Sequence, residues 1–436
     1  MKSSDHLPPL AYDRILSQSQ FVIMLKATRY RIYPTKEQQE YLAKSLGCCR
    51  YAWNYGLALT NQTYKDTGKG LSRFAIQKAI TELKKEHEWL AEPYSQCLQV
   101  VALNLSRAFI NFFERRGLFP RFKSKHGKQS ISYPQNVKVL ESSLKFPKMG
   151  EVKARIHRPV EGSVRTVTVS INSRGHYFAS VLVEDGIDQP ESNSDADSVS
   201  GRYSVRPPVL GKIIGLDVGL TDLVVTSNGS KFSNPRWFRK HQKNLKQKQQ
   251  SLSRKKKGTN NRNKARKKVA RVHDKISRCR SDFLHKLSRR VVDENQVIVT
   301  ENLALKNMVR NHCLAKSISD AGWGMFTTML KYKAEWEGKV YLEVDRFFPS
   351  SKTCNVCLSQ VGNLPLEIRS WTCSSCSTHH DRDINAAINI KNEGLRILSL
   401  GTRDTACGDS VSRGGGRKSS TLQESMKQEA HALAVG

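Results

Sequence analysis

No stretch of the 436-residue chain approaches the eighteen or more consecutive apolar residues that a bilayer-crossing helix needs, so no membrane helix is expected. Acidic residues are scarce: 39 Asp and Glu stand against 72 Lys and Arg, a formal charge of +33. That excess is more than solubility requires and predicts a polyanionic partner, nucleic acid foremost. The chain has no Gly-x-Ser-x-Gly, no P-loop Gly-x4-Gly-Lys-Ser/Thr and no His-Glu-x-x-His. This excludes the usual signatures of an α/β-hydrolase, a P-loop nucleotide hydrolase and a zinc protease. Residues 1–23 lack the basic start and small-residue cleavage site of a secretory signal, and their apolar part is short. They are expected to be a disordered, dispensable extension, or the result of a start-site choice between Met1 and Met24.

Cysteine is sparse but patterned. Of ten, Cys354, Cys357, Cys373 and Cys376 form two Cys-x-x-Cys pairs separated by fifteen residues. Each pair offers two thiolates from one tight turn, and four thiolates complete a tetrahedral Zn²⁺ shell with no open position. The spacing predicts a structural zinc ribbon. Two disulfides are the alternative, disfavoured without a secretory context. His379 and His380 follow closely as rival ligands, but four thiolates already fill the shell. The other six cysteines (Cys48, Cys49, Cys97, Cys279, Cys313 and Cys407) are scattered, which suits a reducing cytoplasm.

Just after the cage, Asp383 precedes a segment in which Ile384, Ala387, Ile388 and Leu395 recur at helical spacing. Alone it would read as a helix cap. Upstream, however, KIIGLDVGLTDLVVTSNG reads as a β-hairpin with Asp217 on its first strand, and VIVTENLAL reads as a buried strand ending at Glu301. Three acids at the ends of apolar elements are the ingredients of a two-metal nuclease site, where Mg²⁺ stabilises the attacking and leaving oxygens of a phosphodiester. Asp381 competes with Asp383 for the third position.

In that order, GLDVGL, TENL, and a paired-cysteine insertion followed by DRDINAAINI resemble the split RuvC-like nuclease of the TnpB family, transposon-encoded RNA-guided endonucleases related to type V CRISPR effectors. KATRYRIYPTKEQQEYLAKSLGCCRYAWNYGL and FPRFKSK are similar to that family's opening, so the resemblance spans about residues 24–400. It implies an α/β multidomain fold: an RNase H-like (RuvC-like) nuclease domain with an inserted zinc ribbon, plus a small β-barrel wedge domain interrupted by a helical recognition lobe. The wedge would occupy 24–35 and 117–186, the lobe 36–116 and a linker 187–208. The nuclease would take 209–351 and 379–400 around the ribbon at 352–378, ahead of a disordered tail at 401–436. The resemblance also implies that Asp217, Glu301 and Asp383 hold Mg²⁺, and it favours Asp383 over Asp381. The implied partners are a transposon-derived guide RNA and double-stranded target DNA carrying a short flanking motif. One departure is Ser377, which stands where the family usually has glycine.

The remaining chain is read from its periodicity. A strand over Lys26–Tyr33 closes at Pro34, and Thr35 caps a helix. Leu42, Leu46, Cys49 and Trp53, and then Leu98, Val101, Leu105, Phe109 and Phe112, form stripes that read as helical core. Arg115, Arg116, Arg121, Lys123, Lys125 and Lys128 interleave with Phe119, Phe122 and Tyr133, a weak nucleic-acid signal. SVRTVTVSI and HYFASVLVED alternate as a hairpin around Asn172–Gly175. Arg236 to Arg290 holds 22 Lys or Arg against Asp274 and Asp282, a helical tract expected to contact nucleic acid. Residues 311–336 read as containing one amphipathic helix with Trp323, Phe326, Leu330 and Tyr332 inward, and KVYLEVDRF as another strand of the nuclease sheet. The expected function is Mg²⁺-dependent DNA cleavage in the cytoplasm, associated with the nucleoid. A non-catalytic transposition regulator and a guide-independent RuvC-like nuclease are the rival readings; a tyrosine transposase using Tyr177 or Tyr203 is a weaker third.

Overall fold

The computed structural model describes residues 25–184, 212–365 and 367–404. The expected extension at 1–23, the linker at 187–208 and the tail beyond 404 lie outside them.

β1 (Leu25–Tyr33) leads into α1 (Lys36–Thr67). The Thr35 side chain accepts the Gln38 N–H and the Gln38 side chain accepts the Thr35 N–H, so two donors at the helix start are satisfied reciprocally. α1 stops at Gly68, whose φ of 69° needs no Cβ. α2 (Arg73–Glu86) and α3 (Ser95–Phe113) pack on it through Leu42, Leu57, Ile76, Leu98 and Leu105. The α3 stripe leaves the core after Leu105. Phe109 is half-buried, whereas Phe112 and Phe113 are exposed; Phe109 and Phe112 each meet Phe119 edge-on and Phe112 also meets Phe113, so the outer part of that stripe is surface and not core.

Six strands follow: β2 (Gln129–Tyr133), β3 (Lys138–Val139), β4 (Ser143–Phe146), β5 (Gly150–Arg155), β6 (Ser163–Ile171) and β7 (Tyr177–Glu184). With β1 they form one antiparallel sheet in the order β2-β6-β7-β1-β5-β4-β3. Among the described residues no pairing joins β2 to β3, so the hydrogen bonds make an open sheet where a closed barrel was expected. The two-residue β3 offers too few backbone groups to close it.

Then come β8 (Ile213–Val218), β9 (Asp222–Thr226), β10 (Lys231–Ser233), α4 (Trp237–Ser253), α5 (Asn260–Glu294) and β11 (Val297–Glu301). The described residues end with α6 (Leu305–Met308), α7 (His312–Ala321), α8 (Trp323–Trp336), β12 (Val340–Val344), β13 (Ser370–Thr372), β14 (His379–Asp381) and α9 (Arg382–Asp404). Gly322, at φ 75°, ends α7 and starts α8, so the single amphipathic helix expected over 311–336 is two helices.

The described residues divide into two compact units: 25–184, 233–294 and 304–341 in the first, and 212–232, 295–303 and 342–404 in the second. The segment 209–351, expected to be continuous nuclease, is thereby cut twice, because its helical excursions belong to the first unit. There α4 packs on α5 around Leu245, Val272 and Ile276, with the basic residues of both helices left largely exposed.

The second unit is built on a sheet of order β10-β9-β8-β11-β12, with β8 antiparallel to β9 and parallel to β11. α9 lies against β8 and β11 at very short range. A Cβ on Gly215 would stand 2.1 Å from the Ala387 carbonyl oxygen, and one on Gly394 would stand 2.4 Å from a Val299 methyl. The first glycine of GLDVGL is therefore a packing requirement.

Candidate active site

The register of β8 and β11 brings two of the acids together. Thr300 is level with Leu216, so Glu301 and Asp217 follow side by side on one face of adjacent parallel strands, about 5 Å apart in backbone. Gly215 shares that face, because side chains two apart on a strand point the same way. Gly215 meets Ala387, which lies one helical turn beyond Asp383 on the same side of α9. Asp217, Glu301 and Asp383, from three separate elements, thus converge at one end of the sheet.

Their electrostatics reflect that crowding. Burial, then the neighbouring Glu301 and Asp383 carboxylates, push the Asp217 carboxyl up to about 8, against the pull of Arg382 and the Val218 N–H. Burial also raises Glu301, opposed by a hydrogen bond that Ser350 Oγ donates to its Oε1 at 2.6 Å. Arg369 Nη1 lies 3.4 Å from Asp383 Oδ1 and is largely exposed. The three carboxylates are less tightly gathered than the cysteines: among the described residues, only the cysteine cluster has all its donor atoms within 4.8 Å of one another.

Asp381 is engaged differently. Its Oδ1 accepts the N–H groups of Asp383 and Ile384 at 3.1 and 3.0 Å, capping α9, while its Oδ2 takes Lys231 Nζ at 2.6 Å. Burial would raise its carboxyl, but Lys231 and the two N–H donors outweigh it and hold the group below its usual range. Both oxygens have protein partners.

The four cysteines form two matching turns. The Cys354 and Cys373 carbonyls accept the N–H groups of Leu358 and Ser377, and their own N–H groups donate to the Ser359 and Thr378 carbonyls. Leu358 and Ser377, each following the second cysteine of its pair, are left-handed at φ 60° and 55°. Ser377 thus holds a backbone conformation that favours glycine. Cys354–Cys376 and Cys357–Cys373 sulfur distances are both 3.6 Å. A tetrahedron with ~2.3 Å metal–sulfur bonds has edges of ~3.8 Å, so the donors fit Zn²⁺. His380 is buried, lies 3.1 Å from the Cys354 sulfur and packs on Trp371. His379 lies instead near Thr372.

Several participants have no local sequence signal. Ser350 and Arg369 reach the acids from loops, and Lys231 does so from a neighbouring strand. Asn385 and Asn389 do carry one: two amides four residues apart on the otherwise apolar side of α9, both buried. The first unit adds a cavity of about 1310 Å³ lined by Lys26, Arg29, Arg158, Arg278, Lys286 and Arg289, beside the packed rings of Tyr332 and Trp336.

Residues 195–312 match a family described as "Probable transposase", 323–390 a family described as "Cas12f1-like, TNB domain", and 24–69 a family described as "Helix-turn-helix domain". Described residues of that last stretch form a strand and one 32-residue helix. The chain is 39% identical over 418 residues, 94% of its length and 98% of the relative's, to a Streptomyces pristinaespiralis protein named "Putative RNA-guided DNA endonuclease". It is 31% identical over 409 residues, 89% of this chain and 96% of the relative, to the Escherichia coli K12 protein named "Putative RNA-guided DNA endonuclease InsQ". A solved Cas12f1–sgRNA–target DNA complex shares the fold at a TM-score of 0.52 and 14% identity, covering 85% of this chain and 99% of that one.

Proposed function

The chain belongs to the TnpB family, and on that premise we propose that it is an RNA-guided DNA endonuclease that hydrolyses phosphodiester bonds at Asp217, Glu301 and Asp383. The observation that carries this is the convergence of three carboxylates from β8, β11 and the first turn of α9. A sheet of order β10-β9-β8-β11-β12, antiparallel then parallel, supports an RNase H-like (RuvC-like) reading.

The donor set fits Mg²⁺, since three carboxylates are hard oxygen ligands and the crowded, half-buried Asp217 carboxylate needs a cation beside it to stay charged. When bound, Mg²⁺ would supply the positive charge that stabilises the attacking and leaving oxygens. Asp217 and Glu301 set the floor of the site, Asp383 closes it from the helix, and the exposed Arg369 guanidinium is placed to meet a phosphate. Cys354, Cys357, Cys373 and Cys376 would hold a structural Zn²⁺ that takes no part in the chemistry.

The exposed cations of α4 and α5 and the basic cavity of the first unit support binding to the guide RNA and target DNA by their backbones, with pairing to the guide choosing the sequence and a short flanking motif read by the protein. The seven-stranded sheet and helices α1 to α3 would serve as the wedge and recognition lobe. Work on nucleic acid supports a location in the cytoplasm, on the nucleoid.

The test is to coexpress the protein with its flanking genomic DNA, sequence the RNA that copurifies, and supply Mg²⁺ with a guide-matched plasmid carrying a randomised flank. Cutting that requires the matched RNA supports the proposal. A defined RNA without cutting supports the regulator, and cutting without RNA supports a guide-independent nuclease.

A further inference from the structure

One run of chain connects the cysteine cage to the acids. Between β12 and the first knuckle, Pro349–Cys354 folds back on itself: the Pro349 carbonyl accepts the N–H groups of Lys352 and Thr353 and the Thr353 hydroxyl. At its start Ser350, 4% exposed, donates to Glu301. At its end lies Cys354, fully buried.

α9 clamps this run with two buried amides. Asn389 Nδ2 donates to the carbonyls of Ser350 at 2.8 Å and Thr353 at 2.6 Å. Asn385 Nδ2 donates to Thr353 O at 2.8 Å, and Asn385 Oδ1 accepts the Asn355 N–H at 3.0 Å. Aspartate could not replace either asparagine, because it has no N–H to give. The same helix carries Asp383 in its first turn, so one set of hydrogen bonds ties Cys354, Glu301 and Asp383 into a single frame.

We infer that Ser350 is a positioning residue for Glu301, and that the filled cysteine cage fixes the acid site through the Pro349–Cys354 run clamped by Asn385 and Asn389. The inference rests on the reading of the three acids as the metal site. The Ser350 hydroxyl, 2.6 Å from Glu301 Oε1, fixes the rotation of the Glu301 carboxylate. Outer hydrogen bonds of this kind typically change metal affinity ten- to a hundredfold. A filled cage would thus set how tightly the acid site takes its own metal, and loss of zinc would weaken the nuclease without touching an acid.

The test measures free Mn²⁺ by electron paramagnetic resonance with the full-length protein and its bound RNA, alongside zinc content and melting temperature. Ser350→Ala is expected to weaken Mn²⁺ binding about tenfold or more, with one zinc per chain and an unchanged melt, and Ser350→Thr to recover most of the affinity. Stripping zinc with a chelator is expected to weaken Mn²⁺ binding in the wild type, and returning zinc to restore it. Unchanged Mn²⁺ affinity in Ser350→Ala or in the zinc-free protein, while Asp217→Ala abolishes tight binding, overturns the inference and leaves the acid site standing. Unchanged affinity in Asp217→Ala overturns the acid site itself, and the inference with it.

Discussion

Lys231 Nζ lies 2.6 Å from Asp381 Oδ2, and this pairing separates the roles of two acids only two residues apart. Asp381 uses its other oxygen at the start of α9, whereas Asp383 lies close enough to Asp217 to raise its carboxyl. Asp381→Ala should therefore lower stability by about 1 kcal/mol through the lost cap. Asp383→Ala should leave the melt nearly unchanged and reduce cleavage by about a thousandfold or more, several kcal/mol of transition-state stabilisation. Thermal melts and single-turnover cleavage on the two variants separate the roles.

Gly215 is predicted to be intolerant of any side chain. Gly215→Ala forces a methyl into the α9 backbone and should cost more than about 3 kcal/mol, because two backbones must separate. The expected result is a variant whose second unit is readily proteolysed while the first resists; equal resistance of both units would contradict the packing.

The second knuckle should gain from glycine. Ser377 is held at φ 55°, so Ser377→Gly relieves a left-handed strain of about 1–2 kcal/mol against an added chain-entropy cost of about 0.5–1 kcal/mol. A small net rise in melting temperature is expected, with zinc content unchanged.

The Asp217 carboxyl gives a pH dependence with a definite sign. Its folded value near 8, against an ordinary 3.8, means that between about pH 4 and 8 the metal-free native state holds a proton that the unfolded chain has lost. The stability of the metal-free second unit should therefore fall as pH rises through this window. Divalent binding releases that proton, so affinity should rise by up to about tenfold per pH unit and level off above about pH 8. Asp217→Asn should flatten the stability trend, which denaturant melts at several pH values would read.

Much of this fold is legible in the residues because its signals are local. Alternation marks β1, β6 and β7, and apolar runs mark β8 and β11, so two acids can be placed on strand ends before any coordinates. The cage follows from cysteine spacing alone. What escapes is tertiary. Ser350 reaches Glu301 across 49 residues and Arg369 reaches Asp383 across 14, and nothing in either neighbourhood announces the contact. Gly322 breaks a helix whose apolar spacing continues through it, because a left-handed residue turns the chain without disturbing the periodicity on either side. The aromatic end of α3 keeps helical spacing while running off the core, since periodicity reports a face but not whether anything covers it.

The basic helices predict a steep ionic-strength dependence. If ~8 of their cations contact phosphates, the log–log slope of RNA affinity against salt should be on the order of −5 to −7. Replacing Lys255, Lys256 and Lys257, in the exposed turn that joins the two helices, together by alanine should reduce the slope by about 2–3 if each of the three makes a contact. Filter binding over a salt series measures both.

The most direct test of the central claim is single-turnover cleavage of a guide-matched plasmid in Mg²⁺ by wild type and by Asp217→Ala, Glu301→Ala and Asp383→Ala, each matched for RNA content. The account predicts that wild type cuts and that each variant binds RNA normally but loses cleavage by a similar large factor, as members of one site do. Full cleavage by any of the three would contradict the assignment of these acids as a single metal-dependent active site.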